Sequence, residues 1–511
     1  MRRMNRLGVA ISVTALVLAG CGGSGATESN AAEQLRIASI LAPTTFDPHL
    51  ARSPLAMEPY IFPLYDQLIR VDKSDGKTSL QPMVAERWSY SPDVRSITFD
   101  LRDDVTFHDG TPVNAAAVKA SIERAQTLPG STVTEYFSMV ERIETPDDHT
   151  VAVHLTSPRA DAIFAFATTP ASILNPALMD QDLSQVDAGS GAYRLVSVRP
   201  NDRAEYVKNE SYWDTEMSAF DKLEIMGMSD DNARLNAQRS GQVEASMVRL
   251  PQIPDAQALV ESGKFELTEL DHATWWSMYL NTTHGPLRNP DVRRAMNYAI
   301  DRDSINAGLL NGRCTPTGQP IQSGIAGHVD DGSVGYTYDL MKAKQLMADA
   351  GYADGFSLEV VTGGGVVPVT AAMQDQLAEI GIKLDVQSAD LNDALAQWQG
   401  GTADAFAYSH GASADPVVTM RDNFLTSRFQ GELPDRVRDT LDRLVTQQLP
   451  DEERTALLED VSREISSEAL ELFICSPPTM YLHTDSVGGF DTMGVTTYGG
   501  PFNVRDLYPR P

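Results

Sequence analysis

Ala85-Glu86-Arg87-Trp88, Ser91-Pro92-Asp93, Thr98-Phe99-Asp100-Leu101-Arg102 and Val105-Thr106-Phe107-His108-Asp109-Gly110-Thr111-Pro112 follow one another in close order. Within this block, Ser96 to Leu101 alternates polar and apolar residues, the period of a strand with one buried face. His108 to Pro112 carries an Asp-Gly pair and a proline, which predicts a turn. Asn114 stands where a helix beginning at Ala115 needs an N-cap, because its side-chain oxygen can accept an otherwise unpaired backbone N–H. Trp88 and Phe107 are expected in a core.

The same signals continue outward. Thr150 to Leu155 alternates like a second half-buried strand, after Asp147-Asp148. Leu35 to Leu41 reads as an opening strand, Asp47-Pro48 as a turn and Leu55 to Ile69 as helical. Gly189-Ser190-Gly191 breaks the chain before Tyr193, and its glycines are read as supplying backbone angles that side chains forbid. Asp291 to Ile300 sets Val292, Ala295, Met296 and Ala299 on one helical face. Met341 to Ala350 and Ala371 to Ile380 run into Gly351 and Gly381, typical helix stops. Strands are expected at Phe356 to Val361, Ile382 to Val386 and Ala405 to Tyr408. Helices are expected at Asn392 to Trp398, Arg436 to Val445 and Glu452 to Ile465. Strand and helix alternate throughout, which predicts an α/β architecture.

The length of 511 residues predicts more than one domain. Aspartate and glutamate number 70 against 41 lysine and arginine, for a formal net charge of −29. That balance argues against nucleic-acid binding and against docking on anionic lipid through a basic patch. At the N-terminus, Arg2, Arg3 and Arg6 precede the apolar run Leu7 to Ala19. The run is too short to span ~30 Å of hydrocarbon comfortably, but it suits a signal peptide. It ends in Leu18-Ala19-Gly20-Cys21, which resembles a bacterial lipobox, so residues 1–20 are expected to be removed and Cys21 lipidated. Residues 21–34 then form a small, polar, flexible tether. No later segment has the ~20 apolar residues of a membrane helix. The expected product is a soluble body outside the cytoplasm, held to the cell membrane by lipid alone. Disulfides are permitted there, so Cys314 and Cys475 are either bridged or two separate buried thiols.

Catalytic and cofactor motifs are mostly absent. Gly76-Lys77 and Gly263-Lys264 lack the preceding glycine of a phosphate loop, since Val71 and Ala258 occupy those positions. Gly363-Gly364-Gly365 runs into Val366, Val367 and Pro368, which is no dinucleotide fingerprint. The nine histidines form no pair at metal-ligand spacing. No catalytic residue, metal or cofactor is expected.

The opening block resembles the signature of extracytoplasmic solute-binding proteins of ABC importers, in the peptide/nickel class known as family 5. Gly189-Ser190-Gly191-Ala192-Tyr193 is similar to that family's Gly-Thr-Gly-Pro-Tyr, and Asn209 to Tyr212-Trp213 to its Asn-x-x-Tyr-Trp. Further blocks follow in the family's order: Asp291-Val292-Arg293-Arg294-Ala295 with Ala299-Ile300-Asp301-Arg302, Lys342-Ala343-Lys344 with Ala350-Gly351-Tyr352, and Gln376-Leu377 with Ile380-Gly381-Ile382. The resemblance implies a two-lobed periplasmic-binding-protein-like fold with an additional small domain. Lobe I would combine residues 35–59, 194–283 and 485–511, the additional domain residues 60–193, and lobe II residues 284–484. The chain would cross a hinge twice, and the lobes would close on a solute. The implied function is capture of a peptide or peptide-like solute by a non-enzymatic monomer that delivers it to ABC permease subunits. A nickel chelate, a glycan or another small solute, or a surface sensor on the same fold, remain the alternatives.

Candidate ligand residues lie near the expected hinge. Trp275 and Trp276 sit on a strand entering the first crossing and must face opposite sides, so one pocket does not take both easily. Phe46 follows the first strand. The loop after Tyr408 runs Ser409-His410-Gly411-Ala412-Ser413-Ala414-Asp415-Pro416, at a strand's carboxyl end where α/β folds place ligands. Peptide-binding members of the family often carry an aspartate four residues before this proline to grip an α-amine, and here that position is Ala412. Asp415 is either its substitute or a turn residue, and His410 either a ligand contact or an internal hydrogen-bond partner. Trp398 and Tyr498 complete the set.

Overall fold

The computed structural model describes residues 34–51, 54–73, 78–270, 274–494 and 502–510, with the side chains of 54–56 and 392 not described. Cys21 and Tyr498 lie outside the described residues. Among the described residues, the strands form one seven-stranded, one six-stranded and one four-stranded sheet, plus two short ribbons. The seven-stranded sheet runs Phe265–Leu270, Thr479–Thr484, Ala245–Val248, Gln34–Ser39, Lys222–Gly227, Arg203–Lys208, Tyr193–Arg199. The six-stranded sheet runs Thr315–Pro316, Glu471–Ser476, Trp275–Leu280, Ala405–His410, Phe356–Thr362, Ile382–Ser388. Each sheet mixes parallel and antiparallel pairs and packs helices on its faces. They are the cores of two lobes, and the expected α/β class and two-lobed plan are those of the molecule.

The opening block builds the four-stranded antiparallel sheet, in the order Ala85–Tyr90, Ser96–Leu101, Thr150–Leu155, Val140–Asp147. Ile97, Phe99 and Leu101 point into its core with Phe107, and Trp88 packs against that core. Asn114 caps the helix Ala115–Thr127, accepting the Ala117 N–H at 3.0 Å. The turn that follows Phe107 is a clamp. His108 Nδ1 meets Asp187 Oδ1 at 2.5 Å, and His108 Nε2 donates to the Gly191 carbonyl at 2.9 Å. This ties the turn to the Gly189–Gly191 loop, so the most recognisable stretch of sequence serves the architecture. Gly189 and Gly191 have no positive φ. Their requirement is close approach instead: a Cβ on Gly189 would stand 1.7 Å from the Leu64 carbonyl oxygen, and one on Gly191 2.5 Å from that of Pro63.

Two expectations shift. The helix read over Leu55 to Ile69 is Pro54–Ile61 only, and Ile69–Asp72 is a strand. Pro63 offers no N–H and disfavours helical angles at Phe62, which ends the helix. The passages between lobes also move. Trp275–Leu280 pairs on both edges within the six-stranded sheet, and Thr479–Thr484 with Ala245–Val248 and Phe265–Leu270 in the other. The chain therefore passes between sheets after Leu270 and after Ser476, rather than near 283 and 484.

Cys314 and Cys475 are joined by a disulfide. It lies beside the short pairing of Thr315–Pro316 with Cys475–Ser476 and fixes an edge of the six-stranded sheet.

Candidate functional site

The two sheet changes meet where Ser476 Oγ donates to the Thr274 carbonyl at 2.6 Å. Next to them Trp275 pairs with His410 and Trp276 with Ser409, so the carboxyl end of Ala405–His410 lies at the crossing. Phe356–Thr362 runs parallel to that strand, which brings its own carboxyl end and Gly363-Gly364-Gly365 to the same edge. Carboxyl ends of α/β strands leave a crevice between the outgoing loops, where ligands bind.

The two tryptophans divide between the faces of the strand, as alternation requires. Trp276 is half-buried, and its Nε1–H donates to Ser409 Oγ at 3.1 Å. Its ring lies along Gly365, where an added Cβ would stand 4.0 Å from Cζ2. Trp275, on the other face, is fully buried and stacks on His410, with ring centroids 4.5 Å apart and planes within 2°. Tyr408 shares that face, half-buried, its ring edge-on to His410. Trp398 is fully buried beneath them, stacked on Tyr279, with its indole N–H bonded to the Arg428 carbonyl. Phe46 is far from this group, buried in the core of the seven-stranded lobe against Tyr60 and Tyr206. Of the candidates, Trp276 and Tyr408 offer surface at the crossing, whereas Phe46, Trp275, Trp398 and His410 are packed inside the lobes.

Asp415 is committed within the chain. It caps the helix Pro416–Phe424, with Oδ1 accepting the Val417 and Val418 N–H groups, and Oδ2 accepts from Arg454. Burial raises its pKa against the opposing effect of the Arg454 guanidinium. Ala412 is buried at the head of the same loop.

Beneath the crossing lies a polar chain that the sequence reading did not foresee. Asn423 Nδ2 donates to the Thr419 carbonyl at 2.8 Å, which orients its oxygen toward the Tyr279 hydroxyl and His410 Nδ1. An amide oxygen only accepts, so His410 Nδ1 carries a proton. Burial holds His410 neutral, its pKa pushed down to about 3, so Nε2 is an acceptor. Ser277 Oγ lies 2.6 Å from Nε2. The Ser277 hydroxyl donates to its other neighbour, Glu471 Oε2, at 2.7 Å. Burial pushes the Glu471 carboxyl up to about 7, against the hydrogen bonds from Ser277 and Trp275, which lower it. Trp275 Nε1–H completes the chain by donating to the same oxygen at 2.8 Å. Ser277, His410 and Glu471 are all buried, so this is an internal strut rather than a reactive triad. The available signal was the polar Ser277 and Glu471 within otherwise apolar strands, because buried polar groups require partners.

Among the described residues, no group of three or more His, Cys, Asp or Glu side chains is placed to hold a metal ion. None of their helices is long and apolar enough to cross a membrane.

A family model described as bacterial extracellular solute-binding proteins, family 5 Middle, matches residues 79–432. The glutathione-binding protein GsiB of Pectobacterium atrosepticum is 29% identical over 368 residues, covering 70% of this chain and 69% of its own. In structure, the chain resembles the periplasmic binding protein DppA of Helicobacter pylori, solved with the peptide STSA. The TM-score is 0.77 at 23% identity, covering 94% of this chain and 98% of that one. It also resembles NikA of Brucella suis, solved with Fe(III)-EDTA, at a TM-score of 0.79 and 21% identity over 93% and 100% of the two chains.

Proposed function

The chain belongs to the bacterial extracellular solute-binding proteins of family 5, and on that premise we propose that it captures a peptide-like solute between its lobes for an ABC importer. The protein works as a lipid-anchored monomer that hands this solute to the permease. The observation that carries the reading is the half-buried Trp276 with Ser409 and Gly365, at strand ends beside both chain passages. An indole with an adjacent hydroxyl suits a ligand that is apolar along its length and polar at intervals, as a peptide is. The relatives named for glutathione make that tripeptide the first solute to test.

Recognition in this reading does not depend on a free α-amine at position 412. A buried ammonium needs a charged or strongly polar partner, Ala412 supplies a methyl group, and both oxygens of Asp415 are occupied. Acetylating the amine of a bound peptide should therefore change affinity by less than about tenfold, or ~1.4 kcal/mol. Ala412→Asp should shift preference toward the free amine. Titration of solute-stripped protein with glutathione and matched tripeptides, free and acetylated, followed by tryptophan fluorescence, measures both. A loss of about a hundredfold on acetylation of the natural protein's ligand would refute this mode of recognition.

The anchor in this reading is Cys21, the cysteine that follows the small-residue cleavage site. Cys21→Ser should leave unprocessed precursor or release the protein to the medium. Normal processing with normal membrane retention would rule the anchor out.

A further inference from the structure

The four-stranded domain meets the six-stranded lobe at the segment Arg159–Ile163. Ala160 N–H donates to the Val445 carbonyl at 2.7 Å. Val445 lies in the last turn of the helix Asp435–Thr446, where carbonyls have no partner within the helix. One residue on, the Asp161 carboxylate receives Arg421 from the helix Pro416–Phe424 of that lobe. It also receives Arg159 from its own segment, at 2.7 and 3.0 Å. Asp161 is buried, so a carboxylate taken from water sits between two guanidinium groups, one from each body. Ala414, on the loop before Asp415, packs against the core of the four-stranded domain.

The segment is held in shape from behind. The Tyr90 hydroxyl donates to the Ala160 carbonyl at 2.8 Å and accepts the Ile163 N–H at 3.1 Å. The Arg159 N–H donates to the carbonyl of Val94 at 3.1 Å. Val94 has φ of 57°, a left-handed conformation that a β-branched residue rarely adopts. Backbone strain of this kind persists where surrounding structure enforces it, commonly at clamps.

We propose that Arg159–Ile163 is a clasp that fastens the four-stranded domain to the six-stranded lobe, and that separating these bodies requires the Asp161–Arg421 pair and the Ala160–Val445 bond to break together. The clasp does not rest on the solute-binding reading. The ion pair joins residues 260 apart in sequence and involves none of the solute-site candidates.

Arg421→Gln removes the partner across the interface but leaves Asp161 paired with Arg159, so no buried charge is orphaned. Hydrogen exchange of the protein as purified, with the solute it carries, tests the clasp without knowledge of that solute's identity. The peptide containing Ala160 should exchange at least about tenfold faster in Arg421→Gln, corresponding to ~1.4 kcal/mol of opening. The strands Ser96–Leu101 and Thr150–Leu155 should exchange as in the natural protein, which reports intact folding. Arg421→Lys should fall between the two. Unchanged exchange at Ala160 in Arg421→Gln would overturn the clasp. Faster exchange in the reference strands as well would also overturn it, by showing that Arg421 supports folding of the whole domain.

Discussion

Replacing Cys314 and Cys475 together by alanine is expected to destabilise the protein by about 3–5 kcal/mol. The two cysteines are 161 residues apart, and a cross-link over so long a loop removes much of the freedom of the unfolded chain. The chain-entropy relation gives roughly 5 kcal/mol for a loop of this length, and unfolded-state structure reduces it. The bridge also ties the edge pair Thr315–Pro316 to the strand that leaves the six-stranded lobe at Ser476. Chemical denaturation of the oxidised protein and of Cys314→Ala/Cys475→Ala measures the difference. Equal midpoints and slopes would contradict the estimate. A lowered midpoint with an intact seven-stranded lobe, followed by hydrogen exchange, would localise the effect to the lobe that carries the bridge.

The second large effect is a pH dependence centred on Glu471. Its ordinary pKa of 4.5 is pushed up to about 7 by burial, so the folded protein retains a proton that the unfolded chain releases. A group that binds more protons in the native state makes stability fall as pH rises. The contribution is whole below about pH 4.5 and is lost as pH climbs through about 7, a loss of roughly 3 kcal/mol in all. Physically, deprotonation leaves a fully buried carboxylate with the Ser277 hydroxyl and the Trp275 indole N–H as donors in place of solvent. Glu471→Gln cannot ionise. The difference in unfolding free energy between natural protein and variant should therefore grow in the variant's favour from pH 5 to pH 8. A difference that stays constant over that range would show that Glu471 does not change protonation there.

The fold was legible wherever one face of an element is buried and the other is wet. Ser96–Leu101 and Thr150–Leu155 alternate because one side of their sheet packs on Phe107 and its neighbours, and both strands stand where the pattern put them. The helices running into Gly351 and Gly381 end there because both glycines take positive φ. Strands such as Ala245–Val248 left no clear pattern, because short strands within a lobe carry too few residues to set a period.

The site was legible by position but not by exposure. Strand parity required Trp275 and Trp276 to separate. Which of them faces inward depends on how the helices Leu391–Gln399 and Pro416–Phe424 cover the sheet, and a local pattern does not carry that information. Trp275, Trp398 and His410 are interior for this reason: Trp275 stacks on His410, Trp398 stacks on Tyr279, and Tyr279 meets His410 edge-on. Asp415 carried its own clue, since an aspartate directly before a proline at the first helical position is a standard N-cap arrangement. The Asp161–Arg421 pair carried none, because no pattern in a sequence joins residues so far apart.

The central claim is that a solute binds between the two lobes and draws them together, because contact with both is what favours the closed arrangement. Small-angle scattering tests it most directly, comparing protein stripped of solute by reversible unfolding with the same protein saturated by the solute that co-purifies with it. The account predicts a smaller radius of gyration in the saturated sample. Stoichiometric binding with an unchanged radius would contradict it.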